Sequence, residues 1–476
     1  MKQANALLGT WWGRALYYLL TGTAIAVIAL INGYPLVYSD SGTYIMNAFT
    51  LEQIEDRPIG YGLIIHAITW KATLWTVVLF QGAVTSWLLM LLVRSTAVEA
   101  TRWLKLHLML LAVLIVGTSL PWYAAQIMAD VFTPLVMIIV FLLYNGSVQG
   151  KARRVALWLL LFFFLAAHNS HFPILLGLQG LLLGAHVFGR RVFVVPRDRF
   201  WRKWWSVNAV AMGAALMIML FNAVPYGQFR LSRASNAFVA GRLCEDGIMA
   251  DYLNATCGER PHPLCAYKDR LPADALNGFL WSDTGFVRGE GLSLAQADSV
   301  LEPLVSDLLG RPEYAVRYAR SMVRSTGQQL LQWETGAGLH AYGEGTSPHA
   351  HLWWRLPHEK AAYEGSMQQR GAWADLSGWN RLVGAVLLVS LLAIGAVAVL
   401  RFRSLTSMHW ALMVWVASWL LLNAFVTSSL SIVDSRMQSR VVWLVPMVAV
   451  FLVAATLPPK RPVVGPEEAT LDPAHT

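Results

Sequence analysis

Apolar runs long enough to cross a bilayer recur along most of this chain, and they restrict the fold before any motif is considered. At 1.5 Å of rise per residue, roughly 20 apolar residues cover about 30 Å of hydrocarbon. Inside hydrocarbon every backbone N–H and C=O must find its partner within the chain, which leaves helices or a closed barrel. The alternating pattern of barrel strands is absent. The chain is therefore expected to be an all-α polytopic membrane protein. Of its 476 residues, 56% are hydrophobic and only 14% charged, against about a quarter charged in a soluble protein.

The hydropathy pattern places about ten spans, at 15–33, 72–93, 106–121, 131–145, 155–168, 172–188, 206–225, 380–400, 409–430 and 441–457. The first follows Lys2 and Arg14, has no small-residue cleavage site after it, and reads as a retained signal anchor. Cations collect in alternate loops: Arg94, Arg102 and Lys105; Lys151, Arg153 and Arg154; six more between 190 and 203; Arg401 and Arg403; Lys460 and Arg461. The bias of Lys and Arg towards the cytoplasm then puts both termini inside. The net charge of +9 lies mostly in these loops, so it speaks for orientation and not for nucleic acid.

The expected organisation is a membrane module at 1–225 with a first outer loop at 34–71, a mainly helical extracytoplasmic domain at 226–379, a second membrane module at 380–457 and a disordered cytoplasmic tail at 458–476. A bacterial inner membrane with 226–379 in the periplasm suits this pattern. Tyr61–Trp70 is too short to span and reads as an interfacial or re-entrant helix. Helices are expected over 293–309 and 312–333, the second with Pro312 in its first turn. All three cysteines lie in the outer domain. In an oxidising compartment Cys257 and Cys265 would form a short disulfide and leave Cys244 free; three unpaired thiols are the alternative.

In this topology the unusual polar residues of the membrane region gather on the face opposite the cations. Asp40, Asp56 and Arg57 lie in the first outer loop, Asp130 in the second, His168 and His171 in the third, and Asp434, Arg436 and Arg440 in the last. A carboxylate such as Asp40 can take a proton from a hydroxyl or hold a divalent cation; its plainer role is capping a helix that starts near Gly42. Arg57, ahead of Pro58, suits a phosphate or a lipid headgroup. Asp130 is a second candidate base or metal ligand, or an acid complementing a helix dipole. His168 and His171 suit hydrogen bonds to substrate or phosphate better than zinc, which needs partners absent nearby; structural histidines are the alternative. Arg436 and Arg440 share one helix face where arginine is costly unless paired or functional, with Asp434 as the nearest internal partner.

Several of these segments resemble the GT-C superfamily of integral-membrane glycosyltransferases, which use polyprenyl-phosphate-linked sugars. The resemblance rests on YSDSGTY around Asp40, on Arg57-Pro-Ile-Gly-Tyr61, on MADVFTPLVM around Asp130 and on SRMQSRVVWLVP around Arg436 and Arg440. It covers 15–190 and, more loosely, 405–457. It implies a GT-C-like fold and inverting transfer of a sugar from a polyprenyl-phosphate donor to a glycan, lipid or protein hydroxyl. Asp40 or Asp130 would be the catalytic carboxylate, while Arg57, Tyr44, Tyr61, His168, His171, Arg436 and Arg440 would bind substrate and phosphate. No second acid follows Asp40, so the resemblance carries no firm divalent-cation site.

Two other classes remain open. A transporter would favour charges at the bilayer midplane, broken helices and repeated halves; here charges sit at helix ends and no repeat is seen. A non-catalytic cell-envelope assembly factor would use the outer domain for binding and tolerate loss of Asp40. A ligase or acyltransferase acting on lipid-linked sugars is a neighbouring variant of the first reading.

Overall fold

The structure, a computed structural model, describes residues 9–55, 57–96, 102–145, 148–189 and 199–457. Asp56, the cations Arg190, Arg191, Arg197, Lys460 and Arg461, and the expected tail at 458–476 lie outside the described residues. The chain is all-helical; among the described residues the only extended pairing is one parallel bridge between Leu36 and Gln126. Among the described residues five helices are long and apolar enough to cross a membrane: Trp75–Ser95, Phe200–Tyr226, Ser377–Leu400, Ser407–Leu430 and Ser435–Thr456. Ile59–Thr69, Trp103–Gly117, Ala129–Asn145 and His171–Val187 are apolar but shorter.

The apolar surface of this bundle points both ways. Phe200–Tyr226 and Ser377–Leu400 expose Leu216, Leu220, Val224, Leu388, Val389 and Leu392. Contiguous aliphatic surface of this kind is unfavourable in water and matches hydrocarbon, which makes this a membrane protein. Packing inside relies on small residues and buried hydrogen bonds. The helix Trp11–Ile25 starts at Thr10, whose hydroxyl accepts from Gly13 N at 3.0 Å. It then meets Trp75–Ser95 backbone to backbone, since a Cβ on Gly82 would stand 2.1 Å from the Gly22 carbonyl oxygen. His107 adds Trp103–Gly117 to this pair by bonding the Tyr17 hydroxyl at 2.6 Å and the Ser86 carbonyl at 3.0 Å.

The long segment between Phe200–Tyr226 and Ser377–Leu400 packs in two directions. Its first part, with helices Ser235–Glu245, Ile248–Thr256, Leu294–Gly310 and Pro312–Leu330, encloses a core of its own around Ala240, Leu243, Met249, Leu301 and Leu308. A Cys257–Cys265 disulfide closes one edge, and Cys244 is free and buried. The second part belongs to the core of the membrane helices, through Leu339, Tyr342, Leu352, Leu356 and Tyr363. Two buried polar residues fix it there. Glu359 accepts from the Tyr34 hydroxyl at 2.6 Å, from the Thr73 hydroxyl, and from Leu74 N at 3.4 Å, at the start of Trp75–Ser95. Gln368 bonds both Val37 N and Val37 O, at 3.0 and 2.7 Å. The segment thereby folds back over the chain between Tyr34 and Leu74.

Candidate functional site

Two loops are clamped together before any charged side chain is placed. Leu36 N donates to Ala125 O at 2.9 Å, and Ile127 N donates to Leu36 O at 2.9 Å. The Ser41 hydroxyl donates to Ile127 O at 2.9 Å, and Gln81 Nε2 reaches Ala124 O and Gln126 O at 3.0 and 2.8 Å. These bonds satisfy backbone groups that would otherwise be buried without partners. They also set Asp40, four residues after Leu36, beside Asp130, four residues after Gln126.

The arginines arrive from the other end of the chain on the short helix Ser435–Val442. Asp434 caps it, its carboxylate accepting from Arg436 N at 2.7 Å. Gln329 holds Asp434 through both backbone groups, at 2.8 and 3.0 Å. Tyr123 donates to Arg436 O at 3.0 Å, and Asn423 Nδ2 donates to Met437 O at 2.7 Å. Arg436 and Arg440 are one turn apart and so project from the same face.

That face meets the two carboxylates. Arg436 Nε donates to Asp130 Oδ2 at 2.9 Å, and Arg440 Nη1 donates to Asp130 Oδ1 at 2.7 Å. Arg436 Nη2 also reaches Asp40 Oδ2 at 3.3 Å, and Arg57 Nη2 reaches the same oxygen at 2.7 Å. One continuous chain of ion pairs therefore runs Arg57, Asp40, Arg436, Asp130, Arg440. It contains three guanidiniums and two carboxylates. The Tyr38 ring lies under the Arg436 guanidinium, 4.1 Å away. Arg440 extends the network to Asn423 Oδ1 at 3.0 Å and the Ser170 hydroxyl at 3.3 Å.

Burial grades along this chain. The side chains of Asp130 and Arg440 are 0% exposed and Arg436 is 7% exposed, whereas Asp40 and Arg57 keep 13% and 18%. The open end is therefore Asp40 with Arg57. Burial disfavours the Asp40 carboxylate, but the guanidiniums of Arg57 and Arg436 outweigh it and hold this carboxyl below its usual range. Asp40 occupies the cap position of Ser41–Thr50 yet makes no side-chain cap bond; its Oδ2 serves both arginines, and its Oδ1 accepts from the Ser39 hydroxyl at 3.4 Å. Asp130 likewise pairs with guanidiniums from a short turn, Ala129–Val131. Asp434, expected as an ion partner, is the helix cap.

The remaining expected residues divide by whether their polar atoms are occupied. Tyr44 is fully buried and its hydroxyl has no hydrogen-bond partner, while Asp40, Asp130, Arg57 and Arg436 all act on it electrostatically. Tyr61 packs edge-on against Tyr44 at 4.8 Å and donates its hydroxyl to Gln81 Oε1 at 2.7 Å. His171 uses both ring nitrogens on protein, with Phe164 O at 2.6 Å and the Thr133 hydroxyl at 2.9 Å. The polar atoms of Tyr61 and His171 are thus taken up by protein groups, whereas the Tyr44 hydroxyl is not. His168 is half-buried at the edge, its Nδ1 meeting the Ser170 hydroxyl at 2.8 Å.

Among the described residues no group of three or more His, Cys, Asp or Glu side chains is arranged to hold a metal ion. Tyr123, Asn423 and Ser170 also serve the site without having been expected there; for the last two the only signals were an amide within an apolar run and a hydroxyl between two histidines. Comparison of the chain with protein-family models, curated proteins and solved structures found no match.

Proposed function

We propose that the chain is a membrane glycosyltransferase that moves a sugar from a polyprenyl-phosphate donor to an acceptor hydroxyl on the extracytoplasmic face. The proposal includes about ten crossings in a GT-C-like arrangement, counting the shorter apolar helices, and 226–379 outside the cytoplasm. A Cys257–Cys265 disulfide suits an oxidising compartment. The observation that carries the reading is the accessible carboxylate of Asp40, bonded to two guanidiniums, of which Arg436 is anchored from beneath by buried Asp130.

The transfer follows from exchanging partners. A phosphate oxygen entering between Arg57 and Arg436 takes over guanidinium donors that hold Asp40, because phosphate offers more acceptor oxygens and charge. Asp40, relieved of those donors, becomes a stronger base. The acceptor oxygen attacks the sugar C1, the C1–O bond to phosphate breaks with its electron pair, and the acceptor proton passes to Asp40. The anomeric configuration inverts, and polyprenyl phosphate leaves with its charge balanced by the arginines. Asp130 stays between Arg436 and Arg440 as a positioning residue. The proposed transfer needs no divalent cation, because guanidiniums face both carboxylates and supply the positive charge.

Purification of the protein with its native lipids tests this. Mass spectrometry is expected to find a polyprenyl-phosphate sugar with the wild type and much less with Arg57→Ala. A folded wild type carrying no such lipid, even after incubation with it, would remove the reading.

A further inference from the structure

A polar pocket lies among residues 343–369. It has a volume of about 390 Å³ and is lined by Glu344, His349, Trp353, Lys360, Glu364 and Gln369, among others. That size falls within the roughly 300–1,000 Å³ of pockets that hold small molecules. Glu364 is its hub: His349 Nε2 stands 3.4 Å and Lys360 Nζ 3.8 Å from the same carboxylate oxygen. Lys360 sits 3.0 Å above the centre of the Trp353 ring, and the His349 ring tilts against it at 5.6 Å. At the floor, Gln369 Oε1 accepts from Tyr342 N at 3.0 Å. Its Nε2 is buried and faces the Tyr363 hydroxyl.

We propose that this pocket is a binding site for a neutral or amino-bearing saccharide. A sugar ring presents adjacent hydroxyls, which suit carboxylates, amides and imidazole at close spacing, and apolar C–H faces, which suit an indole. The Gln369 amide at the floor offers its N–H donors to a sugar oxygen as well as to Tyr363. The two glutamates outnumber the single lysine, so a uronic acid or a phosphosugar would be repelled.

The pocket shares a wall with the ion-pair chain. Tyr342 accepts from the Tyr363 hydroxyl at 2.6 Å and donates to Gln369 on the pocket side, and its ring feels Tyr38, Asp40 and Arg436 on the other. Resting on the transferase reading, the saccharide held here is the acceptor, presented across Tyr342 to Asp40.

The test is the full-length protein in lipid nanodiscs, applied to immobilised mono- to tetrasaccharides of neutral, amino and uronic types. The expected result is binding to neutral or amino saccharides, weakened at least tenfold by Glu364→Gln and by Trp353→Ala, and retained in Asp40→Asn. No saccharide held by folded wild type, or binding at wild-type strength by both pocket variants, overturns the inference and leaves the transferase reading standing. Binding without any sugar transfer supports this site and counts against the transferase reading alone.

Discussion

Arg436 and Asp130 are 306 positions apart in the sequence and meet at 2.9 Å, both almost wholly out of reach of solvent. A charge pair in such a place is held by mutual neutralisation, so removing one partner leaves the other stranded. Asp130→Asn is expected to destabilise the fold by about 3–5 kcal/mol. Asp40→Asn, at the open end, is expected to leave thermal stability nearly unchanged. Unfolding of the two purified variants in the same detergent checks the contrast, and equal losses would contradict the division of roles.

Arg57 is expected to act on donor binding. Losing its charged hydrogen bonds to phosphate should weaken binding by about 1.5–3 kcal/mol, roughly tenfold to a hundredfold. Arg57→Lys should recover part of this, since it keeps the charge but not the planar fork. Titration of polyprenyl phosphate into Arg57→Ala and Arg57→Lys distinguishes the two; identical affinities would mean that Arg57 only pairs with Asp40.

Acid should weaken the ion pairs of Asp40. Its carboxyl is held below the usual range in the fold, against about 3.9 unfolded. A depressed folded value stabilises above the unfolded one and fades as pH falls through the folded one. The stability difference between wild type and Asp40→Asn, whatever its size, should be level above about pH 5 and move towards a lower wild-type advantage in stronger acid. A wild-type advantage that grows on acidification would reverse the sign and contradict the pairing.

How much of this was legible beforehand follows from what each residue had to report. Helix type and the membrane setting were written in the long apolar runs. Asp40, Arg57, Asp130, Arg436 and Arg440 stood out because charge beside hydrocarbon is costly without a reason, and the structure joins all five. The partner of each charge was not legible: Asp434 is nearest to Arg436 in sequence, yet it caps the helix while Asp130 takes the guanidinium. Nor could sequence show that Tyr61 and His171 have their polar atoms filled by Gln81, Phe164 and Thr133. The packing of Leu339, Tyr342 and Tyr363 onto the membrane helices was equally hidden, because a hydrophilic stretch with few apolar residues does not announce which core they join.

Gly338 marks where that stretch covers the site. Its φ is +71°, and a Cβ there would stand 1.7 Å from Cε2 of the Tyr38 ring. Gly338→Ala should cost at least about 1 kcal/mol from the left-handed backbone alone, and the clash should lift the loop from Tyr38. Hydrogen exchange of the amides around 336–345 is expected to quicken in the variant. Unchanged exchange would mean that the loop is held by other contacts.

The most direct measurement is sugar discharge from a labelled polyprenyl-phosphate donor by wild type and Asp40→Asn, with donor binding followed in parallel. The account predicts that Asp40→Asn still binds donor but discharges it about 10²–10⁴-fold more slowly. Discharge at the wild-type rate by Asp40→Asn would contradict it.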